Sequence, residues 1–149
     1  MDRSERAAQL FLKGYNCSQS VVIAFSDLTG LDTEQSARLA SSFGGGMGRM
    51  REVCGAVSGM YLVLGMLYGY SDPLDYEGKR QQYGVIQELA AKFRERAGSI
   101  VCREILKNPP SDPAPTVRTQ QFYAQRPCTR MIMLAVSLLE DYIRERESA

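Results

Sequence analysis

Apolar residues recur three and four positions apart along most of the chain, and no long stretch alternates apolar with polar residues. This spacing puts apolar side chains on one face of an α-helix, so it predicts an all-α protein. We find no internal repeat and no break in composition that would divide the chain. We therefore predict a single-domain helical bundle, residues 1–149, with about five to seven helices.

Capping residues and glycines divide this pattern into helices. Asn16 followed by Gln19 has the form of a capping box, which makes Cys17 the first residue of a helix that ends near Gly30. The other predicted helices run from Ser4 to Lys13, from Asp32 or Thr33 to the glycines after Phe43, from Val53 to Tyr70, from Leu74 to Ala97, from Ser99 to Lys107, and from Pro127 towards Glu147.

The stretch from Val53 to Ser71 carries no charged side chain and approaches the length of a membrane span. Its glycines and Ser58 lower its hydrophobicity, and no second stretch of this kind occurs. We interpret it as a buried, glycine-rich central helix and do not expect membrane insertion. Small residues three and four apart, such as Gly55 and Gly59, let neighbouring backbones approach closely near Cys54.

Composition excludes several classes of function. The 18 basic and 17 acidic residues give a net charge of +1, which is not the electrostatic signature of a nucleic-acid-binding protein. The chain has no histidine, so Ser-His and Cys-His catalysis and the usual catalytic zinc sites are absent. The first residues, MDRSERAAQLF, do not resemble a signal peptide, and we expect a cytoplasmic protein whose thiols are kept reduced.

The four cysteines, Cys17, Cys54, Cys102 and Cys128, are far apart in the chain and form no CxxC pair. On the predicted boundaries Cys17, Cys54 and Cys128 each lie in a first helical turn, where backbone N–H groups favour a thiolate. Arginines stand close to Cys54, Cys102 and Cys128 in the sequence. We therefore predict lowered thiol pKa values, with Cys54 as the attacking thiol and Cys17 as the preferred resolving thiol, although other pairings stay open.

A run of glycines, Gly44 to Gly48 with one methionine, precedes Cys54. Successive N–H groups in such a loop can bind an anion, such as a phosphate, a thiolate or a cluster sulfide. We take Gly45, Gly46 and Arg49 as candidate cofactor-binding residues. A plain turn between two helices is the alternative.

The order of GYNCSQSV, FGGGMGRMREVCGAVSG, CREIL and RPCTRMI resembles the C_GCAxxG_C_C family of redox-active proteins. The resemblance covers essentially the whole chain and includes all four cysteines, with Cys54 to Gly59 as its CGAxxG element. It implies that the cysteines are the functional positions. Members are often encoded near transporter genes, and a related domain is associated with an iron–sulfur centre, which implies a redox partner that is transport-associated.

Three functions follow from these observations. The first is an oxidoreductase or electron carrier in which Cys17, Cys54, Cys102 and Cys128 converge, either as metal ligands of an iron–sulfur cluster or in thiol–disulfide exchange. The second is a structural zinc site with four cysteine ligands in a small interaction protein, which dispersed single cysteines fit poorly. The third is a helical binding or assembly module with buried, inert cysteines. A bundle with this much apolar helix can also leave a face for a homodimer.

Overall fold

The computed structural model describes all residues, 1–149, and is all-α, as predicted. Without its three shortest helices, six remain. The nine α-helices are α1 (Arg3–Leu12), α2 (Cys17–Ala24), α3 (Ser26–Thr29), α4 (Thr33–Ala40), α5 (Gly55–Tyr68), α6 (Tyr76–Ala97), α7 (Cys102–Ile105), α8 (Gln120–Gln125) and α9 (Cys128–Ser148), and a 3₁₀ turn spans Ser41–Phe43.

The predicted caps are present. Asn16 and Gln19 form a reciprocal capping box at the start of α2: the Gln19 N–H donates to Asn16 Oδ1 at 2.8 Å, and the Asn16 N–H donates to Gln19 Oε1 at 2.9 Å. Asp32 and Gln35 form the same pair before α4. Each box satisfies two of the free donors at its helix end, which fixes Cys17 as the first residue of α2.

Two of the predicted helices break or shrink, and one observed helix was not predicted. The helix from Cys17 to Gly30 breaks at Phe25, whose backbone (φ −108°, ψ 15°) ends α2 and leaves the short α3. The helix from Ser99 to Lys107 shrinks to α7, because Val101 pairs with Val53 as an isolated antiparallel bridge. The sequence pattern did not predict α8, which lies between the proline-rich segment, residues 108–116, and α9.

The core forms where α2, α5 and α9 pack together, with α1 and α4 against α2. α2 is apolar on nearly all sides, so its residues from Ser20 to Ala24 are all buried, and burial of such aliphatic side chains stabilises the fold. Its neighbours contribute further fully buried side chains. The largest of these on other elements are Phe25, Met60, Leu64, Leu89, Phe93, Ile132 and Leu139.

The uncharged stretch forms α5, but over a shorter range than predicted. Val53 lies in the bridge and Cys54 occupies the N-cap position, so the helix begins at Gly55. All residues from Gly55 to Met60 are buried, whereas Met66 near the other end is 52% exposed. None of the helices has the length and apolar content that crossing a bilayer requires. The start of α5 is therefore the part of this helix that the surrounding elements enclose.

Candidate functional site

The four cysteines lie at the starts of four different helices. Cys17, Cys102 and Cys128 are the first residues of α2, α7 and α9, and Cys54 is the N-cap of α5. All four line one cavity of about 360 Å³. Each thiol is also close enough to the others for charge on one to affect the pKa of another. The fold thus brings together the cysteines that the sequence keeps apart.

A short piece of paired backbone holds Cys54 beside Cys102. The Cys54 N–H donates to the Ile100 carbonyl at 2.7 Å, and the Cys102 N–H donates to the Glu52 carbonyl at 2.6 Å. These two bonds flank the bridge between residues 53 and 101. Both thiols are buried, with 7% of each residue exposed. The starts of α5 and α7 are therefore fixed against each other.

Glycines on α5 bring α2, and with it Cys17, close to Cys54. A Cβ atom on Gly55 would lie 3.2 Å from the Cys17 Cβ, and a Cβ on Gly59 would lie 2.9 Å from the Ser18 carbonyl oxygen. Larger residues would push the two helices apart. The role that the sequence suggested for these small residues, close approach of backbones around sulfur, agrees with this packing.

Arg118 ties the segment before Cys128 to the segment before Cys17. Its guanidinium donates to the carbonyls of Phe11 and Tyr15 at 2.5 and 2.9 Å and stacks on the Phe11 ring. Phe11 and Arg118 both line the cavity. Cys17 and Cys128 are half-buried, and a hydrogen bond between their thiols shifts the pKa of both. The start of α9 is thus held against the start of α2.

The glycine loop is a left-handed turn. Every residue from Gly45 to Arg49 has φ between 60° and 72°, including the non-glycine Met47, and Arg51 has φ 62°. A non-glycine residue in this region costs about 1–2 kcal/mol. Gly46 has no alternative there, because a Cβ would lie 2.6 Å from the Cys102 Cβ and 2.9 Å from the Arg51 Cα. The loop therefore packs directly against a cysteine of the cavity.

The candidate cofactor-binding residues Gly45, Gly46 and Arg49 all line the cavity. The Arg49 guanidinium is engaged elsewhere, however: it donates to the Asp112 carbonyl and to Thr116 Oγ1, and it pairs with the Asp112 carboxylate at 3.3 Å. Arg49 therefore fastens the proline-rich segment over the glycine loop, and its charge is balanced by that carboxylate. Its proposed role at sulfur is the weakest of the three.

Arg51 is the arginine that reaches sulfur. Its Nη1 lies 3.7 Å from Cys102 Sγ, and its Nε donates to the Pro110 carbonyl at 2.9 Å. Arg51, Arg118 and Arg126 were not among the site residues predicted from the sequence, although all three line the cavity. Proximity in sequence pointed to Arg51 and Arg126, but nothing in the sequence placed Arg118 there.

Three of the four thiols are not acidified, so the prediction of lowered pKa values is wrong for them. Burial raises the pKa of Cys54 to about 12, although the N–H groups of Ala56 and Val57 favour its thiolate. The pKa of Cys17 is raised well above its usual value by its hydrogen bond to Cys128 and by burial. Burial also raises the pKa of Cys102, against the effect of Arg51.

Cys128 is the exception. Hydrogen bonding from the Cys17 thiol lowers the pKa of Cys128 to about 7, and the positive charges of Arg126, Arg118 and Arg51 act in the same direction against burial. Near neutral pH the Cys17–Cys128 pair therefore loses its first proton, and the negative charge lies on Cys128. The most nucleophilic thiol predicted by this geometry is Cys128 and not Cys54.

The four thiols do not close around one metal ion. No three of the cysteines, aspartates and glutamates are arranged to hold a single ion. Zinc bound by thiolates at about 2.3 Å in a tetrahedron requires the sulfurs to be roughly 3.8 Å apart. A [4Fe–4S] cluster places one cysteine ligand on each of four irons, so its cysteine sulfurs need no such contact. The donor set, four thiols lining one cavity, therefore fits a cluster better than it fits zinc.

Comparison with known proteins shows that a family model matches most of the chain. A family model described as "Putative redox-active protein (C_GCAxxG_C_C)" matches residues 15–142. That range includes all four cysteines and the glycine loop. No curated protein and no solved structure matches the chain. The family match therefore supports redox activity and gives no substrate or partner.

Proposed function

The chain belongs to the C_GCAxxG_C_C family of redox-active proteins, and from this premise we propose that its four-cysteine cavity is a redox centre that binds an iron–sulfur cluster and carries electrons. One observation carries the proposal: four thiols from four separate helix starts line a single cavity. A dithiol pair would use only two of them. A cluster bound by cysteine uses four and needs no histidine, which this chain lacks.

Cys17, Cys54, Cys102 and Cys128 would be the ligands, and the bound cluster would accept and donate one electron at a time. The remaining residues of the cavity act on its charge. Positive charge from Arg51 beside Cys102 stabilises the more negative, reduced state and so raises the reduction potential. The N–H groups of the glycine loop act in the same direction. Burial of Cys54 and Cys102 limits access of water and oxidants to the centre.

Binding of a cluster requires loss of the thiol protons. Because burial raises the pKa of Cys54 and Cys102, these thiols are protonated at neutral pH before loading. Loading therefore releases protons, and we expect faster reconstitution at pH 8.5 than at pH 6.5.

Anaerobic reconstitution with ferrous iron and sulfide tests the proposal. We expect a visible chromophore with stoichiometric iron and acid-labile sulfide in the wild-type protein. Each of Cys17→Ser, Cys54→Ser, Cys102→Ser and Cys128→Ser should lose or destabilise it, because each removes one ligand. Ser71→Ala, at an exposed position outside the cavity lining, is the control and should retain it. A wild-type protein that is folded but takes up no iron or sulfide would refute the cluster.

The contact between Cys17 and Cys128 favours a second candidate function, thiol–disulfide exchange. The Cys128 thiolate would attack a disulfide of a partner, forming a mixed disulfide and releasing one partner thiolate. Cys17 would then lose its proton and attack the Cys128 sulfur, which releases the second partner thiolate and leaves a Cys17–Cys128 disulfide. Two electrons pass from the pair to the partner disulfide. This candidate assigns the attack to Cys128, whereas the sequence pattern favoured Cys54.

Mapping of disulfides tests the second candidate. Cluster-free protein is exposed to oxidised glutathione, alkylated and digested without reduction. Exchange predicts a disulfide between Cys17 and Cys128, with Cys54 and Cys102 recovered as free thiols. Recovery of all four cysteines as free thiols, or of a random mixture of pairings, would contradict it.

The redox partner, its link to transport, the cytoplasmic location and the homodimer remain predictions from the sequence.

A further inference from the structure

The cavity has an excess of positive charge. Four arginines line it, and no aspartate or glutamate does. One of the four, Arg49, is neutralised by Asp112. The other three, Arg51, Arg118 and Arg126, form no ion pair with a carboxylate. The charge of the cavity wall is therefore unbalanced by the protein's acidic side chains.

Arg51 makes this imbalance costly. Only 5% of the residue is exposed, and its guanidinium is bonded to the carbonyl of Pro110 and to the sulfur of Cys102. These groups accept hydrogen bonds, but neither carries a full negative charge when the thiol is protonated. A buried cation is disfavoured unless an anion accompanies it. The cavity is thus built for a negative occupant.

The glycine loop adds neutral donors to the same wall. The backbone N–H groups of Gly45, Gly46 and Gly48 donate to no acceptor in the protein, and all three residues line the cavity. Gly46 is itself buried. Buried N–H groups almost always have a partner, so the N–H of Gly46 calls for an acceptor from outside the chain. Tetrahedral oxyanions accept hydrogen bonds from both guanidinium and backbone N–H groups.

We propose that the cluster-free cavity binds a tetrahedral oxyanion of the phosphate or sulfate type, held between Arg126, Arg51 and the glycine loop. The Arg126 guanidinium stacks on Phe122 and makes no hydrogen bond within the protein, so it is free to meet the anion. The site is separate in its chemistry from electron transfer, although a negatively charged cluster would engage the same arginines. Phe11 and Phe122 also line the cavity, which leaves room for the organic part of a phosphate monoester.

Calorimetric titration of cluster-free, reduced protein at pH 6 tests the proposal. Inorganic phosphate, sulfate and phenyl phosphate are titrated separately at constant ionic strength, with chloride as the reference anion. We expect saturable binding of one oxyanion per chain. Tighter binding of phenyl phosphate would identify a phosphate monoester as the preferred ligand, and equal binding would identify the free anion.

Arg126→Gln should weaken binding at least tenfold, and Arg126→Lys should restore part of it. Arg130→Gln removes a nearby arginine outside the cavity lining and should leave binding unchanged. Absence of saturable binding to the wild-type protein would overturn the proposal, as would equal losses in Arg126→Gln and Arg130→Gln. The titration uses protein without a cluster, so failure of cluster reconstitution would not alter its result.

Discussion

Cys54 and Cys128 both line the cavity, but their surroundings shift the pKa of the two thiols in opposite directions. Cys54 caps α5 and accepts hydrogen bonds from the N–H groups of Ala56 and Val57, yet its pKa rises to about 12. Cys128 begins α9 beside Arg126, and its pKa falls to about 7. Both are at helix starts. The position at a helix N-terminus is therefore not what separates them.

Desolvation and nearby charge account for the difference. At Cys54 the loss of water outweighs two backbone N–H groups, and no arginine is among the main influences on its pKa. At Cys128 a hydrogen bond from the Cys17 thiol and three arginines together outweigh burial. Formal charges and a bonded thiol thus stabilise a thiolate that partial charges at a helix end do not.

The largest expected effect is the difference between the alkylation rates of Cys128 and Cys54. At pH 7 about half of Cys128 is thiolate, whereas roughly 1 in 10⁵ of Cys54 is. Because the more basic Cys54 thiolate is intrinsically more nucleophilic, their rates should differ by about 10²- to 10³-fold. Iodoacetamide labelling of reduced, cluster-free protein, followed by peptide mass spectrometry, measures both. In denaturant the rates should converge. Equal labelling in the folded protein would contradict the comparison.

The stability of the cluster-free protein should fall in alkali because of Cys54. In the folded chain its thiol stays protonated up to about pH 12, whereas in the unfolded chain it ionises above its usual 9.0. Unfolding then releases a proton, so the free energy of unfolding falls by about 1.4 kcal/mol per pH unit above pH 9, a contribution fully present below pH 9.

Urea denaturation at pH 8.5 and 10 measures this slope. Between pH 8.5 and pH 10 the free energy of unfolding should fall by about 1.3 kcal/mol less in Cys54→Ala than in the wild-type protein, whatever the variant's stability at pH 8.5. Parallel slopes in the wild-type protein and Cys54→Ala would show that Cys54 is not protonated in the folded state above pH 9.

A pair of glycine substitutions tests whether the glycine loop holds Cys102 in position. Gly46→Ala and Gly48→Ala both place alanine at positive φ, which costs each about 1 kcal/mol. Only at Gly46 does the new Cβ meet Cys102; at Gly48 the nearest atom is 3.7 Å away. We expect Gly46→Ala to lose a further ~1–3 kcal/mol and to impair cluster reconstitution.

Thermal or urea unfolding of both variants, with iron uptake as the second readout, checks this expectation. If Gly46→Ala and Gly48→Ala lose equal stability and both bind iron as the wild type does, the loop does not position Cys102.

The smallest expected effect is the change in the pKa of Cys128 when one nearby arginine is removed. Arg126→Gln takes away one of several groups that stabilise the thiolate, so the pKa of Cys128 should rise from about 7 towards its usual 9.0. The pH dependence of its alkylation rate measures the pKa. Arg130→Gln, an exposed neighbour, is the control. A larger rise in Arg130→Gln than in Arg126→Gln would contradict the role of Arg126.

Local signals in the sequence predicted the local parts of this fold. Asn16 and Asp32 are good caps, and α2 and α4 begin directly after them. The break at Phe25 and the short α7 were not predictable, because they depend on long-range packing and on the bridge between residues 53 and 101. α8 is too short to show a helical period.

The site divides in the same way. The four cysteines and the glycine loop were identified from the sequence, and the fold brings them to one cavity. Their acidity was not predictable, because burial and the contact between Cys17 and Cys128 arise only on folding. Arg118 was missed for the same reason: its partners are the carbonyls of Phe11 and Tyr15, more than a hundred residues earlier in the chain.

The central claim is that the four cysteines act together as one electron-carrying centre. A potentiometric titration monitored by electron paramagnetic resonance, on protein purified without oxygen, tests it most directly. The account predicts an iron–sulfur signal that appears and disappears reversibly in a single one-electron step. It also predicts that the Arg51→Lys substitution changes the reduction potential of this step. Protein that is folded, free of iron and sulfide, and titrates only as a two-electron thiol couple would contradict it.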